Sequence, residues 1–339
     1  MYSGGPTLYS HSKLYVDYIP STATLRFSGS GITTRVITGA AFQGATATGD
    51  ITIETAGTDG VLDKPLIVVE GFDPFNSFDY FDFIINSDPV VVDVGTIDVE
   101  IDLTTGLTLN QAIENEGYDL VFVNYRNGTD FIQRNAFMVE AVIDTVNAMK
   151  VGSQKNVVLG MSMGGLVARY ALRHMETTGR THDTKLYISH DAPHQGANVP
   201  LAYQAFVRHL VGESINIPVF FSIFDIKVLD FDEAFPALQV GLDIVQSPAA
   251  QQMLIYQLQG TGGGVAINNS SPFGTFSTEY RNLGYPSQGG IKNIAISNGS
   301  ECGTPLDFAP FATLANVNGN VDLPFLIHNI TYGFINALS

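Results

Sequence analysis

A chain of 339 residues with 45% hydrophobic and only 14% charged side chains can bury a large core, which excludes a disordered chain. Sixteen Lys plus Arg against 33 Asp plus Glu leave a net charge of −17, so phosphate backbones and anionic membranes are repelled at long range. Nucleic-acid binding and stable anionic-membrane binding are excluded on that ground, and the single Cys302 excludes an internal disulfide or a cysteine-based structural zinc site.

Residues 1–60 alternate small polar with apolar positions, as in Leu14/Val16/Tyr18, Leu25/Phe27 and Ile51/Ile53, between Gly and Ser-Gly turns. They read as antiparallel strands, either an edge extension of a main sheet or a small β-layer. Met1 to Pro20 lacks the pattern of a signal peptide and no run reaches transmembrane length. The chain is therefore expected to be cytosolic, or a mature secreted protein. Its acidic, Thr/Asn/Gly-rich composition favours a secreted or extracytoplasmic location.

Leu66 to Val69 is a continuous apolar run, the signature of a strand buried on both faces of a parallel sheet. It ends at Glu70-Gly71-Phe72, where Glu70 either orients the loop or is a solvated charge. Phe72, Phe75, Phe78, Tyr80, Phe81 and Phe83 follow, as the lining of an acyl pocket or as plain strand–helix packing. Pro89 to Leu103 reads as an extended acidic insertion, and Thr108 to Glu116 as a short helix capped by Thr108 or Asn110. Leu120 to Val123 is a second buried strand. After the turn-rich Tyr125 to Asp130 comes an amphipathic helix that turns Phe137, Val139, Val142, Ile143 and Val146 inward. Repeated strand–helix units with short connections imply parallel strands and right-handed crossovers, hence a sheet with helices on both faces.

Asn156 to Leu159 is again an apolar, β-branched run, whereas Leu166, Val167, Tyr170 and Leu172 recur at helical spacing. Between them stands Gly160-Met161-Ser162-Met163-Gly164. A serine in a sharp strand-to-helix turn projects its hydroxyl above the sheet, and the flanking glycines let strand and helix approach. The helix N-terminus faces the same point, so its free N–H groups can stabilise an oxyanion, with the Met163 amide as first donor.

Lys185 to Ile188 reads as the next strand and leads into Asp191-Ala192-Pro193-His194-Gln195-Gly196. Residues 197–290 fit no strand–helix unit. The spacing of Leu201/Phe206/Leu210 and Ala249/Met253/Leu254/Leu258 predicts a mostly helical insertion there, either a cap over the site or a packed subdomain. Ile291 to Ile296 resumes the sheet. Val321 to Ile327 reads as a last strand with His328 at its end, and Ile330 to Leu338 as a closing helix.

Three stretches, Ile67 to Pro74, Gly160 to Gly165 and Ser189 to Gly196, resemble the α/β-hydrolase superfamily, and within it lipases and esterases of the GPI-inositol deacylase-like group. The resemblance covers roughly residues 65–196 and implies an α/β-hydrolase fold: a mostly parallel, doubly covered sheet with N-terminal β-strands (1–60). The catalytic domain would span 61–339 with a helical cap inserted at 197–290. It implies a serine carboxylic-ester hydrolase working through an acyl-enzyme on a hydrophobic, uncharged small-molecule or lipid ester, with no cofactor and no metal.

In these hydrolases the loop after the first buried strand supplies the second oxyanion donor, here the Phe72 amide, although Glu70-Gly71 stands where a His-Gly pair is usual. Gly71, Phe75 and Phe78 are then the substrate-lining candidates. The resemblance gives His194 a loop-shaping role. It places the triad acid after the strand that begins at Ile291, which makes Glu301 the candidate, with Asp307, Asp322 and Asp191 open. The order nucleophile, acid, histidine leaves His328 as the general base among seven histidines, with His194 as the alternative. Two other functions stay open: an amidase, peptidase or polyester depolymerase on the same scaffold, and a noncatalytic binding protein. The sequence does not set the oligomeric state.

Overall fold

The computed structural model describes residues 32–56, 59–81, 83, 113, 115–199, 201, 204, 214–218, 225–230, 243–261, 264–269, 271–297, 313–323 and 326–336. For 214–218, 225–230, 259–261, 264–269, 271, 313–323 and 326–336 it describes the backbone alone. The strands expected around Leu14 to Phe27, the acidic insertion, most of the helix expected at Thr108 to Glu116, and Glu301 and Asp307 lie outside the described residues.

Strands β1 (Ile32–Phe42), β2 (Ala45–Glu54), β3 (Pro65–Val69) and β4 (Asp119–Tyr125) come first. Helix α1 (Ile132–Met149), β5 (Asn156–Met161), helix α2 (Met163–Thr177) and β6 (Thr184–His190) follow. Next are β7 (Ser214–Pro218), β8 (Asp225–Asp230), helix α3 (Pro248–Met253), β9 (Tyr256–Thr261) and β10 (Gly264–Asn269). Helix α4 (Ser271–Leu283), β11 (Lys292–Ile296), β12 (Thr313–Leu323) and β13 (Leu326–Asn336) complete the described elements.

Seven strands form one sheet in the order β1-β2-β4-β3-β5-β6-β11. From β4 to β11 every neighbouring pair is parallel, whereas β2 joins β4, and β1 joins β2, antiparallel. The described N-terminal strands, β1 and β2, thus extend the edge of the main sheet. This strand order, with a strand–serine–helix turn after β5, is the α/β-hydrolase fold.

The continuous apolar runs of β3 and β4 follow from burial on both faces. Ile67, Val69, Val121 and Val123 enter a large cluster with Val139, Val142, Ile143 and Val146 of α1 and Leu166, Val167 and Met175 of α2. Their alternate neighbours Val68, Leu120 and Phe122 pack on Tyr80 and Phe83 on the opposite face. The expected α1 face is therefore inward at all its aliphatic positions, with Phe137 partly buried against the same cluster.

Two expectations are corrected. Among the described residues the 197–290 insertion is not mostly helical: besides helical residues at 201, 204 and 243–245 and a 3-10 turn at Gln288–Gly290, it holds helices α3 and α4 and two antiparallel hairpins, β7–β8 and β9–β10. The Ala249/Met253/Leu258 spacing straddles α3 and β9, so no single helix carries it. The C-terminal stretch read as strand then helix is one hairpin, β12–β13, in which Ile330 and Tyr332 pair with Gly319 and Val317.

Candidate active site

The turn from β5 into α2 is strained. Ser162 has φ 50° and ψ −121°, in the left-handed half of the map that a residue with a Cβ occupies only under constraint. The constraints are visible: its N–H donates to the His190 carbonyl at 2.8 Å, and its own carbonyl accepts from Gly165 at 3.0 Å. A Cβ at Gly160 would stand 2.4 Å from the Gly164 carbonyl oxygen, and one at Gly164 would stand 2.2 Å from that of Glu70. Only glycines allow that approach of strand, helix and loop. The result is an exposed Ser162 whose side chain makes no capping bond to the helix it begins. As the first residue of α2, Met163 has no carbonyl a turn earlier for its N–H, which therefore points out of the helix end beside Ser162.

The loop after β3 meets this serine directly. A Cβ at Gly71 would lie 3.2 Å from the Ser162 Cβ and 3.8 Å from its Oγ, so the Gly71 backbone borders Ser162. Phe72 is half-buried against the main cluster, which anchors the loop. The carboxylate of Asp73 ties the next turn: Oδ2 accepts from the Phe78 N–H at 2.7 Å, while Oδ1 accepts from the Phe75 N–H and the Ser77 hydroxyl, each at 3.2 Å. A Cβ at Gly128 would stand 2.4 Å from the Asp73 carbonyl oxygen, so the loop after β4 supports the loop after β3. Neither Asp73 nor Gly128 stood out in the sequence, although Asp73-Pro74 is a turn-forming pair whose side chain bonds backbone a few residues on.

Glu70 is not a solvated charge. It is fully buried, its Oε1 accepts from the Tyr125 N–H of β4, and its Oε2 has no partner among the described residues. Burial, reinforced by the Asp73 and Asp79 carboxyls, pushes its pKa up to about 9, against the lowering effect of the Tyr125 N–H.

The aromatic group divides. Phe78, Tyr80 and Phe83 are packing residues: Phe78 and Phe83 lie against Phe122 with ring centroids 6.1 and 5.6 Å away. The Tyr80 hydroxyl donates to buried Glu54. Phe75, by contrast, is 66% exposed at the tip of the loop. Of the residues proposed to line substrate, Gly71 borders Ser162, Phe75 is exposed on the same loop, and Phe78 is partly buried against the core.

His194 is held on both ring nitrogens, Nε2 by the Ser189 hydroxyl at 2.7 Å and Nδ1 by the Tyr280 hydroxyl at 3.0 Å. Burial first, and then the Arg169 guanidinium, lower its pKa to about 4, so the ring is held neutral. Arg169 is sandwiched over the rings of Tyr280 and Tyr285, 4.0 and 3.7 Å from their centroids. His174 and His182 are equally committed, to Glu140 at 2.6 Å and Glu176 at 3.1 Å. Asp191, with φ 47°, starts the exposed turn after β6 and donates its N–H to the Ile296 carbonyl at 2.7 Å.

The backbone of His328 lies in β13, opposite Val321, and that of Asp322 in β12, opposite Ile327. Among the described residues, no group of three or more His, Cys, Asp or Glu is placed to hold a metal, and no helix is long and apolar enough to cross a membrane.

No protein-family model matches the sequence, and no curated protein matches it. Solved structures do. A bacterial heroin esterase is 16% identical, with 50% of this chain and 47% of that one covered at a TM-score of 0.33. Brefeldin A esterase, described as a bacterial homologue of human hormone-sensitive lipase, is 15% identical over 50% of this chain and 42% of that one, with a TM-score of 0.30. The rice cell wall degrading esterase LipA from Xanthomonas oryzae is 14% identical over 53% and 45%, with a TM-score of 0.33. The chain thus spans about half the length of the solved structures it matches.

Proposed function

We propose that this chain is a serine hydrolase of carboxylic esters. The observation that carries the reading is Ser162 itself: a strained, exposed serine at the start of α2, its hydroxyl unused as a cap and the Gly71 backbone against it. Strain of this kind costs about 1–3 kcal/mol and persists where function requires it.

In the proposed reaction Ser162 Oγ attacks the ester carbonyl while a histidine takes its proton. The carbonyl oxygen becomes an oxyanion held by the Met163 and Phe72 N–H groups. Collapse of this intermediate breaks the ester C–O bond, and the histidine returns its proton to the departing alcohol. Water then repeats the attack on the acyl-enzyme, giving the acid and free Ser162. We assign the base to His328 and the orienting carboxylate to Glu301, from chain order alone. A net charge of −17 disfavours anionic substrates and suits an uncharged, apolar ester, with Gly71 and Phe75 nearest the acyl group. The 197–290 insertion enters this proposal as the source of a cap over the site, and a secreted location as the setting.

A fluorophosphonate probe tests the reading directly. Labelling at Ser162, lost in Ser162→Ala, with turnover of short acyl esters, is the expected result. An unlabelled, folded wild-type protein inactive on an ester panel overturns it, and turnover confined to amides moves the bond class to an amidase.

A further inference from the structure

The Arg169–Tyr280–His194 stack and the Glu140–His174–Arg180 cluster between α1 and α2 are held by partners within themselves, and nothing in the structure shows what covers the exposed Ile294 and Ile296 of β11. Glu70 differs, because it is buried next to the proposed oxyanion site and half of its carboxyl group has no partner among the described residues.

We propose that Glu70 is a positioning residue held as the neutral acid, fixing the oxyanion loop to β4 while keeping negative charge away from the developing oxyanion. The inference rests on the ester-hydrolase reading of Ser162 and deepens it. Glu70 immediately precedes Gly71 and stands two residues before the Phe72 donor. Its own N–H donates to the Val123 carbonyl at 3.3 Å and its Oε1 accepts from the Tyr125 N–H, so both ends of the residue are tied to β4. Its carbonyl oxygen lies where a Cβ on Gly164 would be, so α2 rests on the same peptide. A residue clamped between β4 and α2 sets where the Gly71 and Phe72 amides stand relative to Ser162.

The proton follows from the surroundings. An ionised carboxylate needs donors on both oxygens, and only Oε1 has one. Among the described residues, the charged and titratable groups that bear on it are Asp73 and Asp79 of its own loop and the buried Tyr125 of β4, while α2 presents the Gly164 backbone. No cation is among them. Asp73 and Asp79 oppose ionisation, in the same direction as burial. If Glu70 ionised, a negative charge would sit against the loop whose amides must stabilise an oxyanion, and from its buried position that repulsion is screened less than it would be in water. A glutamine would keep the shape and the acceptor for Tyr125 but could never charge.

The test is the alkaline limb of kcat on a short soluble acetyl ester, corrected for spontaneous hydrolysis. Wild-type kcat is expected to fall above an apparent pKa near 9, with KM little changed. Glu70→Gln is expected to lack that limb while keeping kcat at neutral pH within about threefold, whereas Glu70→Ala loses tenfold or more through loss of the tie to β4. An unchanged alkaline limb in Glu70→Gln, or a wild type with no such limb, overturns the proposal. A second readout needs no turnover and no variant: the wild-type infrared spectrum at neutral pH should contain the C=O stretch of a protonated carboxylic acid that disappears through about pH 9. Its absence overturns the neutral acid whether or not Glu70→Gln folds. An ester-inactive wild type that shows the band overturns the Ser162 reading and Glu70's part in turnover, and leaves its protonation standing.

Discussion

The carbonyl oxygen of Glu70 lies 2.2 Å from the point where a Cβ on Gly164 would stand, so the loop after β3 and the first turn of α2 touch backbone to backbone. Through this contact the two candidate oxyanion donors, Phe72 on one side and Met163 on the other, hold a common geometry. Gly164→Ala must push them apart, since the opposing atoms are backbone and cannot rotate away. We expect a stability loss of about 1–3 kcal/mol from overpacking and a fall in kcat of about a hundredfold from misplacement. A folded Gly164→Ala protein with wild-type kcat would refute the contact's role.

Replacing Ser162, the proposed nucleophile, separates strain from chemistry. Ser162→Gly and Ser162→Ala should both cut turnover by about a thousandfold or more. Only glycine tolerates φ 50°, ψ −121° without cost, so Ser162→Gly alone should gain stability, by about 1 kcal/mol or more. Urea midpoints of the three proteins decide this, and equal midpoints for the Gly and Ala variants would contradict the strain.

Asp73 should matter to turnover through the loop and not through contact with substrate. Asp73→Ala frees the Phe75 and Phe78 amides and the Ser77 hydroxyl at once, at a cost of about 1–3 kcal/mol. We expect kcat to drop about tenfold to a hundredfold with fluorophosphonate labelling of Ser162 slowed in proportion. Slower turnover with unaltered labelling would place the defect elsewhere.

His194 makes the fold acid-sensitive in a defined window. Its pKa is lowered to about 4 in the folded protein, against 6.5 for an ordinary histidine, so between these values the unfolded chain binds a proton that the native one does not. Stability from this residue is therefore complete above about pH 6.5 and drains as pH falls towards about 4. Relative to His194→Gln, the wild-type unfolding constant should rise by up to about tenfold per pH unit across that range, less where solvent screens the ring. Denaturant titrations at several pH values measure the difference, and parallel pH profiles would show that the ring is not buried neutral.

The parallel half of the sheet was readable because each strand is buried on both faces and each helix on one, which writes uninterrupted or 3.6-spaced apolar runs into the sequence. Ser162 was readable for the same reason: its glycines fall between two such runs. The insertion was not, because short apolar runs such as Ala249 to Leu258 fit a helix and a strand equally well. The C-terminal hairpin departs from the expected closing helix because Ile330, Tyr332 and Phe334 alternate at period two, which is a strand pattern and not a helical one. The burial of Glu70 could not be seen at all, since it depends on the amide of Tyr125, 55 positions further along the chain.

The place of β3 in the sheet also bears on how the chain reaches its native state. Leu66 is in register with Leu120 on one side and Val157 on the other, so this five-residue strand must close loops of 54 and 91 residues before both its edges are satisfied. Such long closures make assembly slow and leave the exposed edges of β4 and β5 open to pairing with another chain meanwhile. Refolding should therefore be strongly concentration-dependent in yield, with the Ser162 turn, which needs β3 to support Gly164, among the last features to form.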